Sequence, residues 1–317
     1  MSSESFKYLY GPVPSRRLGR SLGIDLAPFK TCTYDCIYCQ LGRTTNKTME
    51  RLDYAPVKDI IRELKVKLTA ADTFDYISIA GSGEPTLHAH INELIAMIKN
   101  MTRIPVAVLT NGSLLYLPEV RAALMRADLV IPSLDAGDET MFQYVNRPHP
   151  SIVFDRMVNG LIDFTADYPG QVWLEVLLVS GVTGMDADVK KIAALAEKIH
   201  AKKVQLGTIC RPATEEYACA VDARQLKKLS SLFTSPVEIL ADSVPEDMTL
   251  TDDTGATDAD IWNLLARRPC TLVDVCQGLG LHPHDAAKRL QRLIDEKMIT
   301  ALRVEHDIFY KIAEKLE

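Results

Sequence analysis

An α/β fold, a curved parallel sheet or partial barrel followed by a small helical unit, is predicted for this 317-residue chain by three observations. Along residues 1–240 short apolar runs alternate with helix-spaced apolar patterns, the sequence form of parallel strands joined by crossover helices. Residues 241–257 read as an acidic linker, because the stretch ending at Asp258 holds six acids, no Lys or Arg, and many Ser, Thr, Gly and Pro. Residues 258–317 then show three helical patterns and two alternating segments.

Strands are predicted at 21–26, 76–80, 105–109, 129–133, 172–179 and 203–209, each a run of apolar residues bounded by turn formers. Helices are predicted at 57–68, 91–100, 117–126, 152–164 and 186–200, where apolar residues recur at helical spacing. Parallel strands need right-handed crossovers through such helices, so six β/α units in sequence give a curved sheet or partial barrel. After the linker, helices are predicted at 259–267, 271–278 and 283–297 and strands at 299–304 and 308–312. Gly278-Leu-Gly280 suits the tight turn between the second and third of these helices.

Composition excludes several classes. No apolar stretch approaches the roughly 20 residues that span a bilayer, and Met-Ser-Ser-Glu-Ser-Phe-Lys lacks the order of a secretion signal. Seven unevenly spaced cysteines do not make a disulfide framework, so a cytoplasmic protein without membrane contact is expected. The net charge of -6 equals the charge of the acidic stretch alone, and the remainder is balanced.

The most informative residues are Cys32, Cys36 and Cys39, a C-x3-C-x2-C run. That spacing folds three thiolates round one iron-sulfur cluster and supplies no fourth local ligand, leaving one iron open to a small molecule. A zinc site would need a second pair of ligands at matching spacing, and none lies nearby. Cys210, Cys219, Cys270 and Cys276 match no compact pattern for a second cluster.

The triad, with the aromatic Tyr38 beside its last cysteine, resembles the radical S-adenosylmethionine (SAM) superfamily. Gly81-Ser-Gly-Glu-Pro85 resembles that family's Gly-Gly-Glu-Pro motif, with Ser82 in place of one glycine. From about Tyr10 to Arg43, including Arg16, Arg17 and Arg20, the chain resembles a subgroup of iron-sulfur oxidoreductases distantly related to the wyosine-forming tRNA enzymes. The resemblance implies a six-fold partial β/α barrel holding a 4Fe-4S cluster on Cys32, Cys36 and Cys39, with SAM chelated to the open iron. It also implies a low-potential electron donor such as flavodoxin or ferredoxin.

The motifs fall where a barrel of this kind is reactive, at strand ends and in the loops that follow. Gly81, Ser82, Gly83, Glu84 and Pro85 follow the second predicted strand, Asn111 the third, and Ser133 and Asp135 the fourth. By resemblance these residues and Tyr38 bind SAM, with Asp135 suited to the ribose hydroxyls or the sulfonium region. Glu175 stands inside an apolar run, where a carboxylate is costly unless paired or functional; it either points into the barrel toward SAM or substrate, or faces a helix and pairs with a lysine or arginine. Cys210 and Arg211 follow the sixth predicted strand. Glu175, Cys210 and Arg211 are therefore the candidates for catalysis. Arg16, Arg17 and Arg20 would hold a phosphate or carboxylate of a substrate, or neutralise the cluster.

Residues 258–317 resemble a winged helix-turn-helix. Its third helix carries Lys288, Arg289 and Arg292, but also Asp285, Asp295 and Glu296, and the unit has nine bases against ten acids. Nucleic acid, a docked protein and a structural role therefore all stay open. The expected function is reductive cleavage of SAM to a 5'-deoxyadenosyl radical that abstracts hydrogen from a substrate, whether RNA, peptide or small molecule. The alternative is a redox-sensing iron-sulfur protein that binds nucleic acid without turnover.

Overall fold

The computed structural model describes residues 6–69, 73–240, 256–304 and 307–313, so most of the predicted acidic linker lies outside the described residues. Strand β1 (Leu9–Ser15) turns back into β2 (Gly19–Ile24), and a short pair, β3 (Thr31–Cys32) and β4 (Asn46–Lys47), brackets the cysteine loop. There follow α1 (Val57–Thr69), β5 (Tyr76–Ile79), a 3-10 turn (Pro85–Leu87), α2 (Ile91–Met101), β6 (Val106–Thr110), α3 (Pro118–Leu124) and β7 (Leu129–Pro132). Next come α4 (Glu139–Val145), α5 (Phe154–Asp167), β8 (Gln171–Leu178), α6 (Asp186–Ile199), β9 (Lys203–Thr208), α7 (Ala223–Ser230) and β10 (Val237–Ile239).

Eight strands form one sheet in the order β1-β2-β5-β6-β7-β8-β9-β10. β1 pairs antiparallel with β2, and every later neighbour is parallel. The order ends at β1 on one side and β10 on the other, so the barrel is partial. All six predicted strands are present; β1 and β10 extend the sheet at its two edges. The near-continuous burial of β2, β5, β6, β7 and β9 reflects a parallel sheet covered by helices. β8 differs: its even-numbered residues are buried and Trp173, Glu175 and Leu177 are half-buried, which turns those three toward the open inner face.

The C-terminal unit comprises α8 (Asp258–Leu265), α9 (Leu272–Leu279), α10 (Pro283–Asp295) and an antiparallel hairpin of β11 (Ile299–Val304) and β12 (Asp307–Ile312). Thr257 with Asp260 and Thr271 with Asp274 form capping boxes that start α8 and α9, and Gly280 ends α9 at φ 66. The unit has its own apolar core, which Val13 of β1 enters and Tyr10 flanks. Helices α8 and α9 thus cover the sheet edge at β1, where unpaired backbone would otherwise be exposed. Arg267 adds to the seam by lying over the Tyr10 ring, 5.0 Å from its centre, and 3.5 Å from the Asp25 carboxylate. Among the described residues no helix is long and apolar enough to cross a membrane.

Candidate active site

The cysteine loop is built so that its intervening side chains anchor it while its sulfurs stay at a cavity. Thr33 is fully buried and shares a 2.8 Å hydrogen bond with Ser113. Tyr34 packs edge-on against Phe142, ring centres 5.4 Å apart, and the buried Ile37 donates its N–H to Val145 O at 2.9 Å. Cys32, Cys36 and Cys39 are only half-buried, and all three line a cavity of about 380 Å³. Burial lifts the Cys32 thiol to about 12, with the Glu84 charge adding to it, and burial also raises Cys36 and Cys39. Iron binding must therefore displace protons here.

The loop after β5 closes against the cysteine loop. A Cβ on Gly83 would sit 1.9 Å from Thr31 O, so no side chain fits there. Gly81 has φ 154, and the Asp25 carboxylate occupies the place its Cβ would take. Ser82 Oγ donates to Asp25 at 2.6 Å, and Ser82 O accepts from Lys30 N at 2.8 Å. Gly81, Ser82 and Gly83 line the cavity, whereas Glu84 and Pro85 are buried behind it. Glu84 accepts from Thr86 N at 3.0 Å, Thr86 Oγ1 at 2.6 Å, Thr110 Oγ1 at 2.6 Å and Asn111 N at 2.8 Å. Its carboxylate knits three segments together. Burial raises its pKa, and these hydrogen bonds oppose the rise.

Asn111, held by Glu84, donates through Nδ2 to Thr33 Oγ1 at 2.7 Å and to Cys32 Sγ at 3.5 Å. Asn146, beyond α4, plays the matching part at 3.5 Å from Cys36 Sγ and also donates to Asp135 Oδ2 at 3.1 Å. Asp135 further accepts from Leu177 N at 3.0 Å and from the Tyr38 hydroxyl. Burial raises its pKa, and these donors oppose it. Asp135 is therefore engaged by protein donors, while Ser133 and Tyr38 line the cavity.

Glu175 lines the cavity and is also paired with an arginine, Arg17. Burial, then the charge of Arg16, lowers the Arg17 pKa to about 10, so it stays cationic at neutral pH. Arg16 Nη2 donates to Cys210 Sγ at 2.6 Å. Arg211, also at the cavity, crosses to the C-terminal unit, donating to Pro269 O at 3.0 Å and to Asp274 at 3.1 Å. Arg20 does not join this group; its backbone N–H donates to Asp75 at 2.7 Å. Cys219 is exposed, while Cys270 and Cys276 are buried in the C-terminal core, so the four later cysteines do not gather.

Three half-buried sulfurs opening into one cavity, two amides aimed at sulfur and a glycine loop pressed against them fit an iron-sulfur cluster. Among the described residues no three His, Cys, Asp or Glu side chains converge on a single metal ion. Two contributors escaped sequence reasoning: Asn146, which no local motif marks, and Arg268, a cavity residue supplied by the C-terminal unit. Arg267-Arg268-Pro269 is a visible basic turn, but only docking brings it to the barrel.

The family model described as the radical SAM superfamily matches residues 26–196. A Brachyspira hyodysenteriae protein named GTPase Obg is 41% identical over 291 residues, 91% of this chain and 43% of that one, so the chain spans under half of its length. A UPF0026 protein of Helicobacter pylori strain J99 is 36% identical over 98% of this chain and 99% of its own length. Among solved structures, Streptococcus suis SuiB bound to S-adenosylmethionine superimposes with a TM-score of 0.52 at 15% identity, covering 68% of this chain and 50% of that one. That likeness is one of fold.

Proposed function

Because the chain belongs to the radical SAM superfamily, an enzyme family that works with a 4Fe-4S cluster and SAM, we propose that it generates a substrate radical in the barrel cavity. Cys32, Cys36 and Cys39 would hold the cluster, and SAM would take the iron they leave open. When bound, the cluster and SAM supply one-electron cleavage of a sulfur-carbon bond, giving methionine and a 5'-deoxyadenosyl radical able to abstract hydrogen.

This chain's residues do the positioning. Asn111 and Asn146 direct amide N–H groups at Cys32 and Cys36, which favours the thiolate forms. Glu84 and Asp135 carry this arrangement from the strand ends to the cysteine loop. Glu175, Arg17, Cys210 and Arg211 line the cavity and are the groups in reach of a substrate there. The carrying observation is that all three cysteines open on the same cavity as Glu175 and Cys210, while Thr33, Tyr34 and Ile37 between them are buried.

A flavodoxin or ferredoxin is the proposed electron source. The C-terminal unit, read as a winged helix, is favoured as a wall of the site over a nucleic-acid reader. On α10, Arg289 donates to Ala256 O and the exposed Arg292 pairs with Asp258, while Lys288 is exposed. The test is anaerobic reconstitution, reduction and chromatography for 5'-deoxyadenosine in the presence of SAM. Its formation by the parent and its loss in Cys36→Ala support the reading; a Cys36→Ala protein that still forms it overturns the assignment.

A further inference from the structure

At the end of the cavity marked by Cys210, four guanidinium groups converge from three parts of the chain. Arg16 and Arg17 come from the β1–β2 turn, Arg211 from the segment after β9, and Arg268 from the link between α8 and α9. Arg17 is paired with Glu175 and Arg211 with Asp274. Arg268 is near enough to Asp274 and Cys270 to act on both, yet its Nε and Nη2 are buried with no hydrogen-bond partner among the described residues, and Arg17 Nε is in the same condition. Both residues line the cavity, and an oxyanion bound there would give these sealed donors an acceptor once each guanidinium turns toward it.

The cluster does not account for these groups. Cys32 and Cys36 are met by Asn111 and Asn146, and the charges acting on Cys39 are Asp35 and Lys30, while Arg16 and Arg211 reach Cys210. Guanidiniums approaching from several walls suit a tetrahedral oxyanion, whose terminal oxygens point in different directions. A carboxylate offers two oxygens in one plane and is matched by a single fork.

Resting on the reading that this cavity receives substrate, we propose that Arg16, Arg17, Arg211 and Arg268 form a phosphate subsite completed by the C-terminal unit, and that the substrate is a phosphate monoester. The substrate's phosphate is gripped between barrel and C-terminal unit, away from the cysteines. Arg268 makes the C-terminal unit part of the binding site.

The test is isothermal titration of the full-length, anaerobically reconstituted, SAM-saturated protein with inorganic phosphate, methyl phosphate, dimethyl phosphate and acetate. Inorganic and methyl phosphate are expected to bind saturably at one site, and dimethyl phosphate and acetate about ten-fold more weakly or worse. Arg268→Gln in the C-terminal unit and Arg16→Gln in the β1–β2 turn, each checked for folding by circular dichroism, are expected to weaken phosphate about ten-fold or more. Lys288→Gln, on the exposed face of α10, should bind as the parent does. Equal affinity in the folded Arg268→Gln and Arg16→Gln proteins, or equal binding of dimethyl phosphate, would overturn the subsite. Failure of the parent to form 5'-deoxyadenosine removes the radical reading. Failure to bind phosphate by a protein that does form it removes only the subsite.

Discussion

Replacing Glu84 separates two roles for the residue, a ligand of SAM and a keystone of the loops. Its carboxylate is 2% exposed and accepts four hydrogen bonds, two from hydroxyls and two from the backbone N–H groups of Thr86 and Asn111. In Glu84→Ala the hydroxyls can turn to other acceptors, but the two backbone donors stay buried without one. At roughly 1–3 kcal/mol for each such donor, the loss of stability is about 2–6 kcal/mol. Glu84→Gln keeps one oxygen for the three donors that share Oε1 and sets an amide N–H against Asn111 N, a loss of about 1–3 kcal/mol. Urea unfolding of the metal-free, reduced full-length protein, followed by far-ultraviolet circular dichroism, measures both. An Ala variant as stable as the parent, or a Gln variant less stable than the Ala variant, would refute the keystone role.

Three further outcomes are expected. Gly83→Ala must push Thr31 O aside, so the cysteine loop shifts and iron bound per chain after reconstitution falls well below the parent value; full loading would contradict the close packing. Tyr38→Phe removes one of three donors to Asp135 and should cost about 1 kcal/mol in denaturant stability, with no change meaning that the contact contributes nothing. Burial opposes ionisation of Asp274, but Arg211 and then Arg268 hold its pKa below the usual carboxylate range. With a depressed folded pKa, its stabilisation is present above the unfolded value of about 3.9 and is lost as pH falls through the folded one. Protection of the α9 amides, relative to their intrinsic exchange rates, should therefore fall below about pH 4, and in Asp274→Asn already at pH 7; unaltered protection in that variant would show that the pair does not hold the seam.

The parallel core was legible because β5, β6, β7 and β9 are short apolar runs between turn formers, each followed by helical spacing. β1 was hidden by Gly11-Pro-Val-Pro14, which reads as turn, yet an antiparallel edge strand tolerates proline where its N–H would not be paired. β10 has three residues and α4 seven, too few for a period to register. The cysteines and the Gly81–Pro85 turn announce themselves by spacing. The inward direction of Glu175, the internal partners of Asp135 and the arrival of Arg268 depend on how strands register and units dock, and no local pattern encodes that.

The central claim is that SAM binds an iron the protein leaves open. Electron-nuclear double resonance on the reduced, reconstituted protein with SAM labelled by nitrogen-15 at its amino group and oxygen-17 at its carboxylate tests this most directly. Hyperfine coupling of both labels to the cluster is predicted. A four-iron cluster that forms in full yet shows no coupling to either label would contradict the account.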